Sequence, residues 1–384
     1  MARRGEVGKL EPIERMRQNF PIVKNKVFLN HAAHSPLPKP VFESMMKYLR
    51  EASEEWVSEI DLEETKRLFA RLINAKPEEI AYIPNTSIGL NIIANMLEYN
   101  ENSNIVTTDL EFPSVVYPWL RKKLNVEVRY VKNVDGKLRD EDFERAIDED
   151  TTAIVVSHVE YANGFRNNLK SLSRLAHEHG AFLVVDAIQS TGAIKVDVKQ
   201  DDIDFLATAC YKWLLGPSGI GFLYIKEELI EEFEPPMVGW ASVEPEVFET
   251  VEFWDIWNLR LSKTASRFEV GDLNVIGCIG AAAALKLLLD YGMENVESRI
   301  LDLTDYLIER VKEAGWKLQT PEEKSCRSGI VNFLIDRPAE KVEQLAKRGI
   351  IVSARANGIR VSPHFYNTIG EIDKLVEELQ NNID

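Results

Sequence analysis

The middle of the chain alternates between short apolar runs and amphipathic segments, and this alternation limits the fold more than any other feature. One helical pattern begins after Asn168, a plausible N-cap, and ends at Gly180. Six apolar runs are rich in β-branched residues and bounded by turn residues, as buried strands are: Asn104–Thr108, Val126–Val131, Ala153–Val159, Phe182–Ala187, Phe205–Thr208 and Gly219–Ile225. Strands that are apolar on both faces predict a mostly parallel sheet covered by helices, in the α/β class.

The last third of the chain has a different pattern, with long helices and a hairpin signal at Asn357-Gly358. The segments predicted there, in order, are the helices Ile276–Leu289 and Asn295–Ala314, the strand Ile330–Ile335, the helix Ala339–Arg348, the hairpin strands Ile350–Ala354 and Ile359–Ser362, and the helix Glu371–Asn381. A length of 384 residues exceeds one small domain. We expect an N-terminal segment at 1–24 that packs on the small domain, a large α/β domain at 25–275 and a smaller α+β domain at 276–384.

Charge and cysteine content exclude several classes of protein. Lys and Arg total 46 against 62 Asp and Glu, and the resulting net charge of −16 disfavours nucleic acids and anionic membranes as partners. The chain has no apolar run of about 18 residues and no signal-peptide pattern, which predicts a cytoplasmic protein without a membrane partner. Three widely spaced cysteines predict neither a disulfide framework nor a metal site. Six glutamines beside many Glu and Lys residues are typical of a thermophile.

Two positions beside predicted strands could carry chemistry. Lys212 follows the run Phe205–Thr208 among Tyr, Trp and Leu, and burial would lower its pKa and free the amine as a nucleophile. The same pattern fits a lysine whose stem covers apolar surface. Asp186 ends an apolar strand, where ligands of α/β sheets bind, although an acidic residue there could equally cap the next turn.

Two further positions could bind anions. Thr86 and Ser87 begin a helical pattern after the short strand Ile80–Ile83, so they could bind a phosphate or serve as a plain N-cap. Arg360 lies in an apolar strand and could hold a carboxylate or form a structural salt bridge. With Lys212 and Asp186, these residues meet the needs of pyridoxal 5′-phosphate: a Schiff-base lysine, a partner for the pyridine nitrogen, a phosphate seat and a substrate clamp.

Six motifs, in a fixed order along the chain, link this sequence to a known family. They are Phe28–Ala33, Thr86–Asn91, Val185–Gln189, Tyr211–Pro217, Arg267–Gly271, and Arg360–Pro363 with Tyr366–Thr368. From about Phe28 to its C-terminus the sequence resembles the class V aminotransferases, which are fold-type I pyridoxal-phosphate enzymes. That family includes cysteine desulfurases, selenocysteine lyases, kynureninase-like proteins and isopenicillin-N-epimerase-like proteins. The resemblance implies a large, mostly parallel-sheet α/β domain and a smaller α+β C-terminal domain.

The resemblance also implies a role for each matching residue. Lys212 would form the internal aldimine with the cofactor and move the Cα proton of the substrate. Asp186 would partner the pyridine nitrogen, Gln189 would hydrogen-bond the phenolic oxygen, and Arg360 would bind the substrate carboxylate. The loop Arg267–Asp272 would reach the phosphate site of a neighbouring subunit, which implies a homodimer.

The phosphate-binding pair implied by the family is Thr86 and Ser87, but other positions depart from the family pattern. Phe112 stands where the desulfurases carry a histidine over the cofactor ring, and phenylalanine can stack there but cannot transfer a proton. Tyr211 replaces a phosphate-seat histidine, and Asp272 replaces a threonine, so a carboxylate there would repel phosphate.

Further departures bear on the substrate. The loop Ile350–Ile359 is short and has no cysteine, so the desulfurase nucleophile is missing, and Cys326 precedes the strand at Ile330. His158 stands where several relatives have asparagine, and it could flank the ring oxygen or be a core histidine. We also expect His31 and Trp240 to face the substrate.

These features predict an aminotransferase that acts on a small amino acid and a 2-oxo acid through Lys212. Three alternatives remain: an amino-acid racemase or epimerase, a cysteine or selenocysteine lyase without the usual cysteine, and a non-catalytic regulator. Sequence motifs rarely separate reactions that share the same first steps.

Overall fold

A seven-stranded sheet lies at the centre of this computed structural model, which describes residues 12–55, 57, 60–244 and 256–381. The strands among those residues are β1 (Val27–Phe28), β2 (Ile80–Ile83), β3 (Asn104–Thr108), β4 (Glu127–Val131), β5 (Thr151–Ser157), β6 (Phe182–Asp186), β7 (Phe205–Ala209), β8 (Gly221–Ile225), β9 (Val331–Leu334), β10 (Ile350–Ile351), β11 (Ser353–Arg355) and β12 (Gly358–Val361). The helices are α1 (Pro12–Arg17), α2 (Lys39–Glu54), α3 (Glu63–Ile73), α4 (Thr86–Met96), α5 (Pro113–Val116), α6 (Asp140–Ala146), α7 (Leu169–Glu178), α8 (Val275–Tyr291), α9 (Met293–Glu313), α10 (Pro338–Lys347) and α11 (Ile369–Gln380).

The strand order of the central sheet is β2-β8-β7-β6-β5-β3-β4. Strand β8 runs antiparallel to β2 and β7, and the other four neighbouring pairs are parallel. All six predicted strands are present, with boundaries that differ by at most two residues. The predicted α/β class with a mostly parallel sheet is therefore confirmed.

Both faces of this sheet are buried, which explains why its strands read as continuous apolar runs. Val156 and Val185 belong to the apolar cluster on one face, and their neighbours Val155 and Val184 belong to the cluster on the other. Each such side chain contributes roughly 1.5–3 kcal/mol of burial free energy. Helix α4 can lie close to the sheet at Gly89, because a Cβ there would come within 2.9 Å of the Ala207 Cβ.

A smaller antiparallel sheet, in the order β11-β12-β9, lies in the C-terminal third of the chain. An apolar cluster packs this sheet against α9 and α11, with members such as Leu307, Phe333 and Ile372. No single helix of the described residues is long and apolar enough to cross a membrane. Helices α8 and α9 meet that test only as a pair, and they are bent by 80° relative to each other.

The described part of the predicted segment 1–24 contacts residues near α11. Arg17 donates a hydrogen bond to the carbonyl of Tyr366 at 2.7 Å and pairs with Glu371 at 3.1 Å. The Phe20 ring stacks on Tyr366 with centroids 3.7 Å apart. Residues 1–11 lie outside the described residues, and the division at 24 and 275 stays a prediction.

The predicted hairpin is present, but its turn lies one residue earlier than expected. Arg355 pairs with Gly358, so the turn consists of Ala356 and Asn357, with φ of 48° and 60°. Both residues therefore adopt the left-handed conformation of a type I′ turn, which suits Asn and Gly better than Ala. The Asn357-Gly358 signal located the hairpin correctly, but the pairing of Gly358 with β11 excludes that glycine from the turn.

We expect Ala356→Gly to stabilise the protein by about 0.5 kcal/mol, because glycine removes the Cβ strain of a left-handed residue. The measurement is the thermal unfolding midpoint, which should rise. The matched control is Ala354→Gly in β11, which should lower that midpoint because glycine weakens a strand interior. Equal shifts in the two variants would contradict this account of the turn.

Candidate active site

Lys212 follows β7 by three residues and carries an amine without a partner. Its Nζ makes no hydrogen bond or ion pair with the described residues, and it lies 5.9 Å from the ring centroid of Phe112 and 5.8 Å from that of Tyr211. Burial lowers the pKa of Lys212 from 10.5 to about 8, against an opposing effect of the Asp186 charge. Lys212 can therefore present a neutral, nucleophilic amine near neutral pH.

Asp186 ends β6 and faces the same site. One of its oxygens accepts a hydrogen bond from the Ile188 amide at 2.9 Å, and the other has no hydrogen bond with the described residues. Burial raises the pKa of Asp186 to about 6, and the Lys212 charge acts in the opposite direction. A cationic ring nitrogen beside the free oxygen would keep this carboxylate ionised.

Gln189 follows Asp186 in the same turn and has a fixed amide orientation. Its Oε1 accepts a hydrogen bond from Trp213 Nε1 at 2.9 Å, and its Nε2 donates one to the Ala32 carbonyl at 3.0 Å. One Nε2 hydrogen remains for a ligand oxygen.

The first turn of α4 has the features of a phosphate seat. Asn85 is the N-cap and accepts a hydrogen bond from the Ile88 amide at 3.0 Å, so the amides of Thr86 and Ser87 are left for an anion. The Thr86 hydroxyl is buried without any hydrogen-bond partner. The Ser87 hydroxyl lies 2.8 Å from that of Ser114.

Arg360 is 2% exposed in β12 and has no carboxylate within 4.0 Å among the described residues. Its Nε donates to the Ser353 hydroxyl at 3.3 Å, and its Nη1 donates to the Tyr161 carbonyl at 2.7 Å. Burial, followed by the charge of Arg355, lowers the pKa of Arg360 to about 10. Among the described residues Arg360 therefore has no structural salt bridge, and its Nη2 makes no hydrogen bond with them.

Two aromatic rings form one wall of the site. Phe112 is 44% exposed and packs edge to face on Tyr161, with centroids 5.2 Å apart. Lys212 lies close to the Phe112 ring, so this wall is next to the amine. Phe112 therefore lies where a planar ligand could stack, and its ring has no group that could exchange a proton.

Two carboxyl groups, one half-buried and one fully buried, support this wall, and sequence reasoning missed them. Glu111 accepts hydrogen bonds from the Ser157 amide at 2.7 Å and the Ser157 hydroxyl at 2.6 Å. Asn167 Nδ2 donates to the Ser157 carbonyl and, at 3.1 Å, to Glu160. Burial raises the pKa of Glu111 to about 8, and burial together with the Glu111 charge raises that of Glu160. These acids directly precede Phe112 and Tyr161, and no local pattern distinguishes them from solvated acids.

Two predicted site residues do not fit the roles expected for them. His31 is fully buried, and its ring nitrogens lie 2.9 Å from the Ser362 carbonyl and 2.9 Å from the Tyr366 hydroxyl, so neither is free for a substrate. The His158 amide donates a hydrogen bond to the Asp186 carbonyl at 2.9 Å, but the His158 side chain lines a cavity of about 480 Å³ with Arg166, and neither Lys212 nor Asp186 lines that cavity.

Trp240 lies against the loop Arg267–Asp272 rather than beside Arg360. A Cβ on Gly271 would come within 3.6 Å of Trp240 Nε1, and both residues line one cavity of about 1130 Å³. The loop is held by a buried ion pair between Glu269 and Lys66 at 2.9 Å. Arg267 is buried as well and donates to the Ile230 carbonyl at 2.8 Å, whereas Asp272 is exposed.

A half-buried amine without a hydrogen-bond partner among the described residues, a strand-end carboxylate and a helix start with an unpaired buried hydroxyl define a class of protein. This donor set fits an aldehyde cofactor with a phosphate and a ring nitrogen, as pyridoxal-phosphate enzymes require. Lys212 would hold the aldehyde carbon, Asp186 the ring nitrogen, and Thr86 with Ser87 the phosphate. Among the described residues, no group of three His, Cys, Asp or Glu side chains could hold a metal ion.

Comparison with known proteins agrees with this class. A family model described as aminotransferase class-V matches residues 27–375. The uncharacterized aminotransferase YcbU of Bacillus subtilis is 31% identical over 95% of this chain and 97% of its own. A probable cysteine desulfurase of Pyrococcus abyssi is 31% identical over 96% of both chains. The apo structure of a cysteine desulfurase from Thermococcus onnurineus NA1 is 29% identical, with a TM-score of 0.88 over 98% of this chain and 99% of that chain.

The chain belongs to the class V aminotransferase family. It is an enzyme, and its cofactor is pyridoxal 5′-phosphate. The alternative of a non-catalytic regulator is therefore set aside.

We expect the rate at which the apoenzyme takes up pyridoxal phosphate to rise with pH through a midpoint near 8, because only the neutral Lys212 amine attacks the aldehyde. The measurement is the appearance of the bound-cofactor absorbance after mixing at a series of pH values. Asp186→Asn should move the midpoint lower, because the Asp186 charge raises the pKa of Lys212. Lys212→Ala is the control and should give no such band, and a midpoint near 10.5 would contradict the burial of the amine.

Proposed function

We propose that this enzyme is an aminotransferase that moves an amino group between a small amino acid and a 2-oxo acid. One observation carries the proposal: the free amine of Lys212 lies beside Phe112 and has no reactive thiol near it. Cys210, two residues away in sequence, is 1% exposed, and burial raises its pKa far above the ordinary value. A buried neutral thiol of this kind is a poor nucleophile.

The segment that would carry a desulfurase nucleophile is too short and has the wrong residues. Strands β11 and β12 are joined by the two-residue turn of Ala356 and Asn357, and residues 350–361 contain no cysteine. Cys326 lies before β9, where its carbonyl accepts a hydrogen bond from the Arg166 amide at 2.8 Å. The site therefore lacks the thiol that cysteine lyase chemistry through a protein persulfide would need.

Each side chain of the site has a separate role in the proposed amino transfer. When bound, pyridoxal phosphate supplies an electron sink that stabilises negative charge at the substrate Cα. With the cofactor in place, Asp186 would hold the proton on its ring nitrogen, Arg360 would orient the substrate carboxylate through Nη2, and Lys212 Nζ would take the Cα proton of the substrate. Because Phe112 cannot exchange a proton, Lys212 is the proton carrier on its own side of the substrate.

We expect one or more amino acids to convert the bound cofactor to pyridoxamine phosphate and release a 2-oxo acid, which the absorbance spectrum and product analysis measure. Arg360→Lys should raise KM for the amino donor about ten- to hundredfold, because lysine keeps the charge but loses the guanidinium Nη2 donor held towards the carboxylate. Failure of every amino acid in a broad panel to give the pyridoxamine form would contradict the proposal. Deuterium exchange at Cα without amino transfer would indicate a racemase, and release of sulfide or alanine from cysteine would indicate a lyase.

We also infer a homodimer in which the loop Arg267–Asp272 lies near the partner's phosphate site, with Trp240 beside it. The inference is supported by the anchored base of the loop and its exposed tip at Val270 and Asp272. Two large apolar side chains near this tip are also exposed, namely Met237 and Val238. A dimer would bury them together with Trp240.

Light scattering should give a molar mass of twice 43.8 kDa. Val270→Glu should shift the mass toward the monomer, because it places a charge in the proposed interface. Glu98→Gln is a surface control and should leave the mass unchanged. A wild-type monomer at micromolar concentration would contradict the homodimer.

We further propose a reducing cytoplasmic location. All three cysteines are unpaired, and Cys210 and Cys278 are buried. Structural disulfides are typical of oxidising compartments, so free thiols support this location. The thermophilic source stays a prediction.

A further inference from the structure

Arg355 is a second arginine beside Arg360, on the small sheet that faces the site. We propose that Arg355 binds a carboxylate on the substrate side chain, so that the amino donor is a dicarboxylic amino acid. The proposal rests on the proposed aminotransferase function, because it names the substrate class of that same site.

The strand register places both arginines on one face of the hairpin. Ser353 pairs with Arg360, and Arg355 pairs with Gly358. Residues two apart on a strand share a face, so the side chains of Ser353, Arg355 and Arg360 emerge on the same side. The hydrogen bond from Arg360 Nε to the Ser353 hydroxyl agrees with this arrangement. Diagonal neighbours across such a pair lie about 7–8 Å apart, close enough for long side chains to contact one ligand.

Arg355 has charge and donors that no acidic side chain satisfies. It is exposed, and no carboxylate of the described residues lies within 4.0 Å of it. Its Nη1 donates to the neighbouring Ala354 carbonyl at 2.7 Å, which leaves the other donors of the guanidinium for a ligand.

The charge of Arg355 affects the ionisation of two residues in the site. It lowers the pKa of Lys212 and that of Arg360, so both groups lie within electrostatic range of Arg355. Uncompensated positive charge at the opening of a site attracts anionic ligands, even in a protein whose net charge is −16. A monocarboxylate would balance Arg360 only, whereas a dicarboxylate would balance both arginines.

The backbone of Arg355 is held in place before any ligand binds. Asn332 Nδ2 donates to the Arg355 carbonyl at 3.1 Å and to the Ala162 carbonyl at 2.8 Å. Ala162 follows Tyr161, whose carbonyl accepts the Arg360 hydrogen bond. Asn332 thus fixes Arg355 relative to the clamp at Arg360, and such preorganisation reduces the ordering cost of binding.

The test is an equilibrium titration of the holoenzyme with aspartate and glutamate and with their amides asparagine and glutamine, followed by the cofactor absorbance. Wild-type enzyme should bind the acids about ten- to hundredfold more tightly than the amides, because one charged contact is gained. Arg355→Gln should abolish this preference and leave the Kd of the amides unchanged. Arg355→Lys should retain part of the preference, since it keeps the charge without the planar fork.

Arg337→Gln is the matched control, because Arg337 is an exposed arginine that pairs with Glu340 at the start of α10. That variant should keep the full preference for the acids. The proposal is overturned if wild-type enzyme binds amides as tightly as acids, or if Arg355→Gln weakens both by the same factor. Because the preference for acids is read from the spectral change on binding, whether or not amino transfer follows, a preference for acids without any pyridoxamine form would overturn the aminotransferase proposal and leave the role of Arg355 standing.

Discussion

The parallel pairing of β5, β6 and β7 is the constraint on which the rest of this structure depends. Its register places Ser157 beside Asp186 and Asp186 beside Ala207. Parallel strands end at a common edge, so the chain that leaves these strands brings Glu160, Asp186 and Lys212 to one side of the sheet. Because both sheet faces are buried, a slip of one residue would exchange the side chains of the two apolar clusters, and the register is strongly specified.

Burial, which removes water from ionisable groups, shifts the pKa values of the residues that lie at this edge of the sheet. Burial is the largest cause of the lowered pKa of Lys212 and of the raised pKa values of Asp186 and Glu111. Each unit of such a shift corresponds to about 1.36 kcal/mol between the two protonation states. A ligand with a cationic ring nitrogen and an anionic phosphate complements Asp186 and the first turn of α4, so cofactor binding should also stabilise the fold.

The arginine proposed to bind the substrate lies in a different sheet. Arg360 lies in β12 and is joined to the central sheet by the carbonyl of Tyr161, while Tyr161 packs on Phe112. Glu111 and Glu160 hold the two segments that carry these aromatic rings, through Ser157 and Asn167. The aromatic wall and the arginine clamp therefore depend on contacts between segments far apart in the chain.

The sequence by itself determined the elements and the residues whose signal is local. Short apolar runs rich in β-branched residues, with flanking turn residues, located the strands, and the apolar neighbours of Lys212 and Asp186 marked both as unusual. Only the tertiary structure decided the rest. Both ring nitrogens of His31 lie within hydrogen-bond distance of Ser362 and Tyr366, which are more than 300 residues away in the chain. The hairpin register places Arg355 and Arg360 on the same face of the small sheet. Hydrogen bonds and burial between distant segments decide which polar side chains remain free, and no local pattern in the chain encodes those pairings.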